Sequence, residues 1–580
     1  VSVGTNVAGN RMLMALDYAK RYLVRAEEDT GVVPRVLPAR VHVVACLIEW
    51  RIDTIAGFDM SFCNKYRWYP GHEQVQLKDI DGEYRLLSKP RRVITIELQG
   101  RKPSDLGPGD LEADEMASIE VTANGFASGV VWWFDLELDQ EGSITLSSGP
   151  DGGCSSWGQS INWWNEFEVK STDIVKVRVQ QEAQQLLFTS VPPQSRPKHL
   201  TIPKYQFAML RDSHRLQAYE QAIKDAVAFK KDFSSDELFI LDIGPNSGLL
   251  PMLAARHGAD KVVGSEANRA LTDMGEECVV MNGQMHKILI LNKDARHMDS
   301  QDKPDGRGGI YEVKDIERRA DMLVLEGFDS GLIGEGVFHF IANAFHKLVH
   351  EDATVLPMSA TVYAMGIDLS VREAQGFKTT QLNRYRWRPD YEGLDLSTNR
   401  WQAVTEPVEV FMFDFYEWQA NLKPSEKQLQ LPVTQDGFLN AIAFWFELQL
   451  DEQTMITNSP FAETGGTWSQ AVQYCEELRV RKGDLLPVVA MHNTYSISFK
   501  LDDTQIDRAA VATRVPLWDP AWHVQFQHME KINSDFLRTI AQNPLEYRQA
   551  AEAAVAMGAR PMDVGLECDV AQSFCSRMMG

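Results

Sequence analysis

The chain reads as an α/β domain with a doubly wound parallel sheet, followed by an antiparallel β half and preceded by a second β half of the same kind. Three observations predict this. Short apolar strands alternate with helical spacing between residues 238 and 325; a glycine turn follows the first of those strands; and an internal repeat links the two ends of the chain. The length of 580 residues leaves room for roughly three to five domains of ordinary size.

The α/β alternation begins at Leu238-Phe-Ile-Leu-Asp-Ile243, an apolar run bounded by a turn and therefore a buried strand. The turn is Gly244-Pro-Asn-Ser-Gly248, and Leu249 to His257 then carries helical apolar spacing. Lys261 to Ser265 is the next strand, ending on Glu266. A helix follows over Leu271 to Asn282, with further strands at Ile288 to Leu291 and Asp321 to Leu325. Gly244 and Gly248 let the backbone turn tightly and approach a ligand at a helix N-terminus. Glu266 lies 22 residues after Gly244 (266 − 244), where an acidic residue grips ribose hydroxyls in nucleotide-type pockets. A purely structural βα turn is the plain alternative.

The repeat is read from four ordered sites. Val36-Leu-Pro38 recurs as Val355-Leu-Pro357 and Tyr66-Arg-Trp-Tyr-Pro70 as Tyr385-Arg-Trp-Arg-Pro389, both at an offset of 319 (355 − 36, 385 − 66). Trp132 to Asp139 recurs as Phe444 to Asp451, and Trp157-Gly-Gln159 as Trp468-Ser-Gln470. Alternating patterns inside both halves predict strands at Val41–Cys46, Val93–Leu98, Val130–Leu138, Val408–Phe413, Ile442–Leu450 and Tyr495–Phe499, hence an antiparallel barrel or sandwich in each half. Residues 101–115 read as a polar, turn-rich loop, and the pattern from Trp518 onward reads as helical. Asn6 to Val24 aligns without gaps on Gly331 to Val349, so the first copy is expected to keep only its C-terminal half, and the start at Val1 suggests a fragment.

The net charge of −23 argues against a nucleic-acid binder held by phosphate contacts and is compatible with basic peptide partners. Seven scattered cysteines form no CxxC pair, so neither a disulfide framework nor a structural metal is expected. No apolar run is long enough to span a membrane, and no signal peptide is read. Two carboxylates, Glu326 and Glu335, stand nine positions apart (335 − 326) in Leu325-Glu-Gly-Phe-Asp-Ser-Gly-Leu-Ile-Gly-Glu-Gly336, directly after the strand ending at Leu325. An acidic hairpin there could hold one cation between two charges, and a planar guanidinium with its fork of N–H donors fits best. In the first copy Asn10 stands where Glu335 would be. Solvated loop acids are the plain alternative.

Together, Leu241-Asp-Ile-Gly-x-x-x-Gly-Leu-Leu250, the Glu266 strand end and the Glu326–Gly336 hairpin resemble the protein arginine methyltransferases, most of all their tandem-module, monomethylating members. Met209-Leu-Arg-Asp-Ser-His-Arg-Leu-Gln-Ala-Tyr219 looks like the family's cofactor-capping helix. The resemblance covers a full module at about 204–515 and a half module at 1–200. It implies a β-barrel over 1–200, a Rossmann-like class I methyltransferase domain over 201–358, a second β-barrel over 359–517 and a helical extension over 518–580. It further implies S-adenosyl-L-methionine as methyl donor, with Arg215 on its carboxylate, Gly244 and Gly248 beside its backbone, Glu266 on its ribose, and Met209, Asp242 and Ala295 also at the cofactor. Glu326 and Glu335 would clamp the substrate guanidinium, and Asp212 would help take up the released proton.

The implied partners are basic, Arg-rich proteins such as histones or RNA-binding proteins, reached in the cytoplasm or nucleus, with the two modules paired as an intramolecular pseudo-dimer. No direct contact with nucleic acid or membrane is expected. This chain departs from the family pattern in having Gly466-Thr-Trp468 for Thr-His-Trp, Gly331 where tandem members often carry another acid, Asn246 inside the glycine turn, and Arg296 beside the adenine segment. Asn246, Thr467 and Arg296 favour a second reading, a scaffold that binds without turnover; Glu326, Glu335, Arg215 and Glu266 favour an enzyme.

Overall fold

The computed structural model describes residues 12–24, 31, 34–67, 72–100, 111–153, 157–182, 186–193, 202–203, 205–233, 236–300, 314–385, 390–462 and 466–502. The expected C-terminal helical extension, Asn10, and the repeat residues 68–70 and 386–389 lie outside them. The chain divides into two compact units, Val1–Lys204 and Tyr205–Gly580.

The first unit opens with the helix Met12–Tyr22 and continues in antiparallel strands. The strand Arg40–Glu49 pairs with Gly125–Glu137 from Arg40 opposite Glu137 to Ile48 opposite Gly129, at the centre of a seven-stranded sheet. Val41, Val43 and Leu47 point to one core with Trp132 and Phe134, while Val44, Cys46 and Ile48 point to another with Trp133 and Trp163. Burial on both faces explains why this strand is a near-continuous apolar run and not a clean alternation.

Residues 111–115, read as part of a loop, begin the strand Leu111–Glu120, which pairs with Ile174–Glu182 in a separate three-stranded sheet. Asp114, Glu115 and Glu120 give the segment its loop-like polarity because they are exposed, and Arg178 Nε donates to Asp114 Oδ1 at 2.8 Å.

The second unit starts with the parallel sheet. Strands Phe239–Ile243, Lys261–Ser265, Ile288–Leu291, Ala320–Leu325 and Val349–Leu356 form it, and Phe239–Ile243 lies between Lys261–Ser265 and Ala320–Leu325. Helices Leu249–His257 and Arg269–Met281 are the crossovers. An antiparallel region follows. Ser359–Asp368 pairs with Gly437–Gln449 from Ser359 opposite Gln449 to Ile367 opposite Ala441, again central to a seven-stranded sheet with a separate three-stranded sheet beside it in sequence. The strand order and register repeat those of the first unit, with Gln470 opposite Leu394 as Gln159 is opposite Val75. No described helix is long and apolar enough to cross a membrane.

Candidate functional site

Three neighbouring parallel strands end together: Phe239–Ile243 runs into Gly244, Lys261–Ser265 into Glu266, and Ala320–Leu325 into Glu326. Ligands of open α/β sheets bind along this carboxyl edge. Gly248, at φ +76°, starts the helix Leu249–His257. A Cβ there would lie 3.1 Å from Val279 Cγ2 and 3.2 Å from the Gly275 carbonyl oxygen, so a side chain would push against the helix Arg269–Met281. Asn246 takes the left-handed conformation at φ +49°, which asparagine tolerates better than most residues. Its Nδ2 donates to the Gly244 carbonyl at 2.9 Å and its Oδ1 accepts from Gln206 Nε2 at 2.9 Å, tying the turn to the helix Tyr205–Arg211.

Two carboxyl groups sit beneath this turn. Asp242 is 1% exposed, and neither of its oxygens has a hydrogen-bond partner. Burial, and then the neighbouring Glu266, pushes its pKa up to about 8. Burial likewise pushes Glu266 up to about 7, although the Asn268 N–H donates to Glu266 Oε1 at 2.8 Å. A buried carboxyl group without a partner is costly, so Asp242 suits a ligand that brings a cation or N–H donors. The pair also sets a pH dependence. Between the unfolded carboxyl range near pH ~4 and pH 7 to 8, the folded chain holds protons that the unfolded chain has lost. This contribution to stability is therefore present at low pH and lost as pH rises toward about 8. The thermal midpoint of the unliganded protein should fall across that window, and Asp242→Asn should flatten the fall; equal slopes for the two proteins would contradict it.

The helix Tyr205–Arg211 breaks at Asp212 and resumes as Ser213–Phe233. Asp212 Oδ1 accepts the Arg215 N–H at 3.0 Å, in the manner of a helix N-cap. Its Oδ2 accepts both the backbone N–H and the hydroxyl of Thr467, each at 2.9 Å. The histidine position of the family signature thus faces this helix, not the acidic hairpin. The hairpin is reached by the next residue, since Trp468 Nε1 donates to the Phe328 carbonyl at 3.0 Å.

Arg215 and Glu326 form a buried ion pair, and Arg215 Nη2 also donates to the Met209 carbonyl at 2.6 Å. Burial lowers the Arg215 pKa. Met209, Arg215, Asn246 and Glu326 line one pocket, whereas Glu335 lies exposed at the far end of the hairpin. Ala295 is buried, and its carbonyl accepts from Asn343 Nδ2 at 2.7 Å; Asp294 beside it is paired with Arg296. Tyr205 was not singled out from the sequence. Tyr205 is half exposed, yet crowding around its phenol, and then the charges of Glu335 and Glu266, raise its pKa. Its only sequence signal is its place four residues before Met209 on one helix (209 − 205).

The hairpin is packed too tightly for side chains at two of its glycines. A Cβ at Gly331 would meet Tyr391 Cζ at 2.3 Å, and one at Gly334 would meet Asp329 Oδ2 at 2.2 Å. Tyr391 therefore explains the missing third acid. Gly331→Ala is expected to cost about 1–3 kcal/mol in stability, as overpacking does, measured by denaturant titration; an unchanged midpoint would contradict it.

The sequence pattern of the arginine methyltransferase oligomerization subdomain matches residues 39–190 and 358–507, together more than half of the chain. Protein arginine N-methyltransferase 7 of Anopheles gambiae is 26% identical over 364 residues, covering 54% of this chain and 51% of that protein. Arginine N(omega)-methyltransferase of Streptomyces achromogenes subsp. streptozoticus is 29% identical over 266 residues, covering 45% of this chain and 68% of that protein. The same protein from Aedes aegypti as from Anopheles is 27% identical over 345 residues, covering 52% of this chain and 48% of its own length. The chain thus spans about half the length of these insect relatives.

Proposed function

The chain belongs to the protein arginine methyltransferase family, and we propose that it transfers a methyl group from S-adenosyl-L-methionine to a guanidinium nitrogen of arginine in proteins. The observation that carries this reading is Glu326 already gripping a guanidinium, that of Arg215, at the carboxyl edge of the parallel sheet. The orphaned Asp242 carboxyl and the turn at Gly244, where a side chain would meet nothing, fit the donor's ammonium group and backbone, and Glu266 fits its ribose hydroxyls. When bound, the donor supplies an electrophilic methyl group on a sulfonium.

Guanidinium nitrogens are poor nucleophiles because their lone pairs are delocalised. Two carboxylates that fix the group and draw positive charge onto the other nitrogens leave one nitrogen freer to attack in line. Orientation and electrostatic stabilisation of this kind can each contribute several kcal/mol. Glu326 would take one edge of the substrate group and Glu335 the other. Asp212, whose oxygens bond Arg215 N–H and Thr467, fits a positioning role for the capping helix better than proton uptake. In this reading each antiparallel half closes as a barrel, and the acceptors are Arg-rich basic segments of cytoplasmic or nuclear proteins.

A second reading, a scaffold that binds without turnover, draws on Thr467 at the histidine position. Calorimetric titration with S-adenosyl-L-methionine, followed by methyl transfer to an Arg-rich peptide, separates the two. No binding at millimolar donor sinks both the donor site and the enzyme; binding with no transfer favours the scaffold.

A further inference from the structure

We propose that Tyr391, on the antiparallel part of the second unit, is a positioning residue that fixes the acidic hairpin through Asp329 and so sets where Glu335 stands relative to Glu326. The inference rests on the methyl-transfer reading above. The nine-position span from Glu326 to Glu335 is a closed loop whose shape determines the separation of its two carboxylates. Asp329 is the hub of that loop. Its Oδ1 accepts the Gly334 N–H at 2.8 Å, one residue before Glu335, and its Oδ2 accepts the Tyr391 hydroxyl at 2.5 Å. The Leu332 N–H closes on the Asp329 carbonyl at 2.9 Å, and Leu332 itself sits at φ +75°, a conformation leucine does not favour. A loop held in an unfavourable conformation persists only where its surroundings over-determine it. The Tyr391 ring supplies that constraint by lying over Gly331, where even a methyl group would overlap it, and is in turn braced edge-on against Phe444 at 5.2 Å.

The internal repeat adds independent support. At the offset of 319, Tyr391 corresponds to His72, which packs edge-on against Trp132 as Tyr391 does against Phe444. At the offset that aligns Asn6 to Val24 with Gly331 to Val349, Glu335 corresponds to Asn10. The copy that lacks the second carboxylate thus has an aromatic ring but no phenol hydroxyl at the position of Tyr391.

Tyr391→Phe keeps the ring and removes only the hydroxyl, so folding should be preserved. It should lower kcat/KM for an Arg-rich peptide about tenfold to a hundredfold, the scale of a displacement of order 1 Å in a reacting group, with donor affinity and thermal midpoint unchanged. Asp329→Asn should do the same, and the double variant should lose little more than either single one. Independently of turnover, amide exchange at Gly334 should speed up in Tyr391→Phe. Wild-type rates and unchanged Gly334 exchange in that variant would overturn the proposal, as would an activity loss that follows a loss of donor binding. A wild-type protein that transfers no methyl group, but whose Gly334 exchange still depends on Tyr391, would keep the clasp and sink the methyl-transfer reading.

Discussion

Glu335→Gln should slow methyl transfer to an Arg-rich peptide by about a hundredfold to a thousandfold, the scale set by removing one preorganised electrostatic contact, with donor affinity and folding stability near wild type. The reason for the selectivity is position: Glu335 is exposed at the end of the hairpin, so neutralising it strands no buried charge. Glu326→Gln should behave differently. Glu326 is buried against Arg215, and an amide there leaves a buried guanidinium without its counter-ion, so activity and stability should fall together. Single-turnover rates with matched denaturation curves test the contrast. If the two variants lose the same amount of stability, the division of roles between the acids is wrong.

The second large effect concerns Arg215. Removing one member of a buried ion pair typically costs about 3–5 kcal/mol, so Arg215→Ala should shift the denaturation midpoint strongly and abolish measurable donor binding. The same pair also bears on the order of binding. While Arg215 holds Glu326, a substrate guanidinium has to compete with one already in place. A donor whose carboxylate engages Arg215 loosens that competition. Peptide affinity should therefore rise about tenfold or more, a coupling of the usual 1–3 kcal/mol size, once the demethylated donor is saturating. Peptide titrations with and without it decide the matter, and equal affinities would show that the pair does not gate the site.

Much of this arrangement was legible from residue patterns because it rests on local rules. The strands Lys261–Ser265 and Ile288–Leu291 and the helix Leu249–His257 have the bounds their apolar spacing predicted, and the glycine turn lies between strand and helix as expected. What was not legible depends on residues far apart in sequence. Nothing near Gly331 indicates that Tyr391 fills its space, and nothing near Thr467 indicates that it bonds Asp212, 255 residues away. The strand at 111–120 is not legible because Asp114, Glu115 and Glu120 are exposed and its partner begins only at Ile174.

Thr467 and Trp468 are adjacent on one loop, yet they reach opposite sides of the site, the first to Asp212 on the capping helix and the second to Phe328 on the hairpin. In the methyl-transfer reading, a single peptide unit of the antiparallel region would stand as a spacer between the donor wall and the acceptor wall. The gap across which a methyl group would pass is gauged from outside the parallel sheet. A shift of that loop would be felt at the capping helix and at the hairpin together, so a disturbance of either wall would reach the other.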